Sequence, residues 1–362
     1  MRTRGEHGYS LVELLISTGI MLVVTGAIFA LMDPAHGSAK AQPEVADMQQ
    51  RMRVGQEMLF KELVMAGAGP YQGASSGSLV NFFAPILPRR IGQISPDPAQ
   101  GAASYKTDVI TLSYVPNSYS QTTISQSMPI NSSELKVTKI PSCPKGDELC
   151  GFEVGMTVII FDASGSFDTF VITNVQNSAG HLQHQGQTLS HEYDSGAQVM
   201  QIVSNTYYLN RVTNQLMRYN GGAIDVPIVD NVVDLRFTYY GDLEPPRTPK
   251  PPAGVANCLY DTAGNYIGLP TLTPTEGSLA LLPSTLLTDG PYCGSGGNQF
   301  DADLLRVRKV RVNLRVQAAT AALRGTDTTL FLKPGVAAGG ERYVPDYRVA
   351  FDVTPRNLNL AR

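Results

Sequence analysis

Charge is scarce in this chain. Only 16% of its 362 residues are Asp, Glu, Lys or Arg, and the net charge is −3. That balance leaves no polybasic footprint, so no nucleic-acid partner is expected. Cysteine is scarce as well: the four are Cys143, Cys150, Cys258 and Cys293. None stands in the C-x-x-C spacing that a cytosolic zinc site uses, whereas four cysteines in an exported chain fit two disulfides. Catalytic signatures are scarce too, with no H-E-x-x-H or P-loop. The sequence therefore reads as a non-enzyme that needs no cofactor. Gly, Ser, Thr, Asn, Gln and Pro are abundant, which suits an exported β-rich protein.

The chain is organised around its first thirty-odd residues. A polar leader at residues 1–8 carries Arg2, Arg4 and His7, and residues 9–32 follow as an almost unbroken apolar run. About 24 residues suffice to span a bilayer as a helix. Glu13 interrupts that run, and a carboxylate in lipid costs several kcal/mol unless paired or protonated, which marks it as functional. An ordinary secretory signal would cut near the small residues His36-Gly37-Ser38-Ala39, but the run is longer than such a signal needs and contains Glu13. The basic leader orients the N-terminus towards the cytoplasm, with the rest of the chain outside.

Gly8-Tyr9-Ser10-Leu11-Val12-Glu13 resembles the prepilin cleavage motif of type IV pilins and type II secretion pseudopilins, with Tyr where Phe is usual. The resemblance implies cleavage between Gly8 and Tyr9 by a prepilin peptidase and N-methylation of Tyr9. It also implies that Glu13 meets the Tyr9 amine of a neighbouring subunit, fixing axial register during assembly.

Downstream, Pro34 is expected to end or kink the first helix and Pro43 to open its continuation. From residue 44 to 68 the helical period returns. Val45, Met48, Met52, Gly55, Leu59, Leu63 and Ala66 draw one apolar stripe, and Gly67 and Gly69-Pro70 stop the helix. The stem would be roughly 90 Å long at 1.5 Å per residue. After Pro70 strand patterns take over, at residues 108–115, 154–161, 167–175, 197–203, 232–240, 306–316 and 347–353. Residues 206–211 and 215–219 read as a hairpin. The expectation is α+β: a long N-terminal helix, transmembrane in its first half, packed on an antiparallel sheet. Residues 1–8 are the leader, 9–33 the membrane or filament-core helix, 34–69 its amphipathic continuation and 70–362 a β-rich head. Two interruptions are expected in that head, a small β subdomain at about 137–200 and a Pro- and Gly-rich excursion at 242–303.

The candidates for chemistry are few. His181, His184 and His191 are metal candidates by residue type, but H-x2-H-x6-H is no established ligand spacing, and a solvated hairpin is the preferred reading. Asp162, Ser164, Ser166 and Asp168 surround the Gly165 turn and could offer oxygens to calcium, although a β-turn is the simpler account. Asp301 and Asp303 read as a loop end, and the arginines of 306–315 as a solvated sheet face. The cysteines allow three connectivities. Local pairing, Cys143 with Cys150 and Cys258 with Cys293, is preferred because each pair lies within one interruption.

Three later segments extend the resemblance. The stem end Phe60-Lys61-Glu62-Leu63-Val64-Met65-Ala66-Gly67 is similar to that of PilW-type minor pilins. Residues 231–240 are similar to that family's strand before its variable loop, and the ending through Arg356-Asn357 to its final strand and tail. The resemblance implies a minor pilin, inserted in the inner membrane by one pass and then incorporated with major and minor pilins at or near a pilus tip. The alternatives are a type II secretion pseudopilin and a tip adhesin that binds through residues 242–303.

Overall fold

The computed structural model describes residues 9–69, 77–91, 100–116, 120–186, 188–221, 225–337 and 343–359. Gly8, the rest of the leader and Pro70 lie outside them. The chain divides into two compact units: residues up to 51 with 316–347, and residues 52–315 with 348–362.

One helix, α1 (Leu11–Met65), runs 55 residues without interruption through both Pro34 and Pro43. Of the end or kink expected at Pro34, the end does not occur. Each proline removes one N–H from the helical ladder, and the remaining bonds carry the helix past it. In the first unit, Arg51 of α1 pairs with Asp47 and lies 3.6 Å from Glu44. Glu44 also accepts the Ala319 N–H at 2.7 Å. Among the described residues of 316–347, Phe331 is fully buried and its ring meets Tyr343 edge-on.

In the second unit the chain supplies most of the strands. They begin with β1 (Ile86–Leu87), β2 (Val109–Tyr114), β3 (Gln121–Thr123), β4 (Glu134–Lys136), β5 (Thr157–Phe161) and β6 (Phe167–Val171). Next come β7 (Asn174–Gln176), β8 (His181–Gln183), β9 (Gln198–Gln201), β10 (Val203–Asn210), β11 (Gln215–Tyr219) and β12 (Asp225–Asp230). The last are β13 (Val232–Gly241), β14 (Ala280–Leu282), β15 (Tyr292–Cys293), β16 (Phe300–Asp301), β17 (Val307–Val316) and β18 (Tyr347–Val353).

Two sheets, rather than the single one expected, receive the stem. One has the order β1-β2-β10-β11-β12 and the other β14-β13-β17-β18. The break between them falls at Asn231, a lone residue in the left-handed region (φ 58°) between β12 and β13. The stripe predicted from periodicity is buried at Met52, Gly55, Leu59, Leu63 and Ala66, whereas Val45 stays exposed. Gly55 shows why a glycine sits in that stripe. A Cβ there would lie 3.0 Å from Leu314 of β17, 3.4 Å from Val229 of β12 and 3.9 Å from Leu216 of β11. Missing side-chain bulk at one position thus lets the helix backbone approach both sheets.

The insert forms two small sheets, β3-β9-β5-β6 and β4-β8-β7. It begins near residue 121 rather than 137, because Ile124, Met128 and Leu135 bury themselves in the same apolar cluster as Val158, Phe170, Leu182 and Val199. The excursion is less irregular than its composition suggests, since β14 pairs antiparallel with β13 and β15 with β16.

Candidate functional site

The start of α1 is where the sequence concentrates its unusual chemistry. Tyr9 is exposed, and Leu11–Ala30 forms a stretch of mean hydropathy 2.1 with none of it buried within the chain. By length and composition this segment can cross a membrane. Two of its hydroxyls are satisfied locally: Ser17 Oγ donates to the Glu13 carbonyl at 2.7 Å and Thr18 Oγ1 to the Leu14 carbonyl at 2.9 Å. Polar groups bonded back onto their own helix are tolerated in hydrocarbon.

Glu13 has a local role that the sequence reading missed. The Ser10 N–H donates to Glu13 Oε2 at 3.0 Å, and the Glu13 N–H donates to Ser10 Oγ at 3.2 Å. This reciprocal pair is a capping box, which satisfies two of the orphan donors at the helix start. Its signal was available as Ser10-x-x-Glu13 ahead of an apolar run. The box begins at Ser10, so loss of residues 1–8 would leave its members in place.

At the other end of the helix, distant segments converge. Gly67 (φ 78°) donates its N–H to the Ser113 carbonyl at 3.0 Å, and its own carbonyl accepts the Leu79 N–H at 3.1 Å. A Cβ on Gly67 would stand 2.3 Å from Leu358 Cδ2, so both backbone and space require glycine. Asn357 Nδ2 donates to the carbonyls of Val64 and Met65 at 3.4 and 3.3 Å, and the Met65 carbonyl also accepts the Ala68 N–H at 3.0 Å. One turn earlier, Glu62 accepts from Asn205 Nδ2 at 3.0 Å and from the Tyr114 hydroxyl at 3.3 Å. Burial, reinforced by that carboxylate, pushes the Tyr114 hydroxyl up to about 12.

The metal candidates are dispersed. His181 pairs with Glu134 at 3.3 Å and His191 lies 3.8 Å from Asp162, while His184 is buried against the Phe170 ring. Asp162 accepts from the Ser164 N–H and hydroxyl, closing the turn at Gly165. Asp168 points elsewhere. Its carboxylate accepts the Ser190 N–H and hydroxyl, the Tyr193 hydroxyl and Asn298 Nδ2, at 2.9, 2.7, 2.9 and 3.1 Å. Asn298 belongs to the excursion and the others to the insert, so one buried carboxylate clamps the two interruptions together. Burial and the Asp168 charge together drive the Tyr193 hydroxyl well above its ordinary range.

Asp289, Asp301 and Asp303 bring carboxylate oxygens within 4.8 Å of one another, the only such grouping of potential metal ligands among the described residues. Asp303 is engaged by the fully buried Arg306, which also donates to the carbonyls of Leu243 at 2.9 Å and Pro270 at 2.6 Å. Asp301 is fully buried, caps the short turn ahead of β17 and accepts the Gly290 N–H at 2.6 Å. Desolvation raises its pKa to about 6. The arginines of this region are not a solvated face. Arg306 and Arg315 are buried, Arg308 pairs with Asp242 at 2.7 Å, and Arg311 binds Asp352 and Glu276 beside the Tyr240 ring. The disulfides join Cys143 to Cys150 and Cys258 to Cys293.

No family model, curated protein or solved structure matches the chain.

Proposed function

We propose that this chain is a minor pilin of the PilW type, an anchored subunit that leaves the membrane for a type IV pilus and acts in assembly at or near the tip. The observation that carries the reading is the two-part character of one unbroken helix. Leu11–Ala30 is apolar and wholly exposed, whereas residues 52–65 of the same helix bury a stripe against two sheets. An exposed apolar surface of that length needs hydrocarbon or other apolar helices to cover it. A filament core made of such helices covers it after the chain leaves the bilayer. The prepilin-like Gly8-Tyr9 junction supplies the exit step, removal of the leader by a prepilin peptidase, with N-methylation of Tyr9.

Mass spectrometry and immunolabelling of sheared filaments test the proposal. The chain should be recovered there in substoichiometric amount, beginning at methylated Tyr9. A chain that keeps residues 1–8 and stays in the membrane fraction would overturn it. Co-fractionation with a secretion pseudopilus instead of a pilus would favour the pseudopilin alternative.

A further inference from the structure

The buried arginines of the head differ in how they are held. Arg306 pairs with Asp303, and Arg89 donates to the carbonyls of Gln100 and Gln299. Arg90 is only 4% exposed, yet among the described residues nothing accepts a hydrogen bond from its Nε, Nη1 or Nη2. A guanidinium cannot shed its proton to escape burial, as a lysine or histidine can. Leaving that charge unmatched opposes folding, so the residue calls for an explanation.

Its surroundings say what kind of group would match it. β11 meets the stem through Leu216 and turns Met217 and Tyr219 to the opposite face of its sheet. Tyr219 is fully buried there, and the Arg90 guanidinium carbon lies 5.5 Å from its ring centroid. Asp225 of β12 stands opposite Tyr219 in the ladder. Its side chain therefore leaves the sheet on the same face, with the two Cβ atoms roughly 5 Å apart. Asp225 Oδ1 is buried too, and among the described residues it accepts no hydrogen bond. One aromatic side chain thus has an unmatched guanidinium over its ring and an unmatched carboxylate oxygen beside it. A lone anion on Arg90 would be repelled by the Asp225 charge, and a lone cation on Asp225 by Arg90. A group that carries both charges side by side meets both demands.

We propose that Arg90 and Asp225, beside Tyr219, form a binding site for a small free α-amino acid. The planar carboxylate of the ligand takes parallel hydrogen bonds from the guanidinium fork, and its ammonium, one carbon away, donates to Asp225. Burial strengthens both contacts, because charges interact more strongly away from water. Val109, Tyr208 and Met217 pack with Tyr219 on this face, so the ligands expected are the smallest, glycine and alanine. The inference is independent of the pilin reading, because it needs only these side chains of the head.

Calorimetry and thermal unfolding of the full-length chain in detergent test it. Glycine or L-alanine should bind saturably and raise the unfolding midpoint with concentration, as a ligand of the native state does. Acetate and methylammonium, which carry one charge each, should do neither at the same concentrations. Arg90→Met should weaken glycine binding roughly tenfold or more. Without ligand the same variant should unfold no earlier than the unmodified chain, because the charge it removes has no partner to lose and Met keeps a contact with the Tyr219 ring. Asp225→Asn should also weaken glycine binding and, by removing the repulsion, should admit acetate. The proposal fails if neither amino acid binds, or if acetate matches glycine on the unmodified chain. Earlier unfolding of ligand-free Arg90→Met would overturn it as well, since the guanidinium would then already be paired within the protein.

Discussion

At the scale of single residues, Glu13 serves two separable demands. As an N3 carboxylate it closes the capping box with Ser10. As a filament residue it would neutralise a neighbour's Tyr9 amine. Gln can still accept the Ser10 N–H but carries no charge. Glu13→Gln should therefore keep the helix start and yet impair incorporation, measured as the ratio of protein in sheared filaments to that in membranes. Glu13→Ala should also fray the first turn, at a cost of about 1 kcal/mol. Normal incorporation of Glu13→Gln would assign the residue to capping alone. Asp301 yields a second prediction. Its pKa is raised from 3.8 to about 6 by burial, so the folded state holds the proton more tightly than the unfolded chain. That contribution to stability is complete below pH 3.8 and is lost as pH rises through about 6. Asp301→Asn cannot titrate, so the stability of the variant relative to the unmodified chain should shift in its favour between pH 4 and pH 7. Denaturant midpoints across that range check the sign, and a flat difference would count against it.

At the scale of elements, the stem is positioned by what it lacks. Gly55 lets α1 approach Leu314, Val229 and Leu216. Gly55→Leu should overpack this junction and destabilise the fold by about 1–3 kcal/mol, seen in thermal or denaturant unfolding, despite the better helix propensity of Leu. An unchanged midpoint would mean that the helix does not rest on the sheets at this position. The stripe itself was legible because its members recur at helical spacing. Likewise β18 matched its pattern because its residues alternate, and the hairpin of β10 and β11 because Val212-Thr213-Asn214 separates two strand-like runs. Two local rules misled. Proline allowed for a helix end that the surrounding helical ladder overrode, and the arginines of β17 looked solvated because their carboxylate partners are distant in sequence.

At the scale of the whole molecule, the insert and the excursion are one assembly. Their clamp is Asp168, and Gly165 fits beneath Pro249 so closely that a Cβ would lie 2.7 Å from its ring. Asp168→Ala should leave the Tyr193 hydroxyl without its acceptor and Asn298 Nδ2 with the Phe167 carbonyl alone, at a cost of about 1–3 kcal/mol. It should also expose the excursion to limited proteolysis while the Cys258–Cys293 bridge stays closed. Unchanged cleavage kinetics would show that other contacts suffice. A binding role for residues 242–303 would then have to be sought on a surface shaped by both interruptions, not in a free loop.

Sequence by itself determined the properties that live in a few consecutive residues. These are the apolar helix with its basic leader, the buried stripe and the alternating strands. Each follows from a periodicity or spacing that one segment carries alone. Tertiary structure decided the partners. Asn357 caps carbonyls 292 and 293 residues away, Asp168 reaches Asn298 across 130, and Arg306 holds the carbonyl of Leu243 across 63. Such contacts form only when burial brings polar groups together and leaves each needing a partner, and no local pattern states which partner will be there.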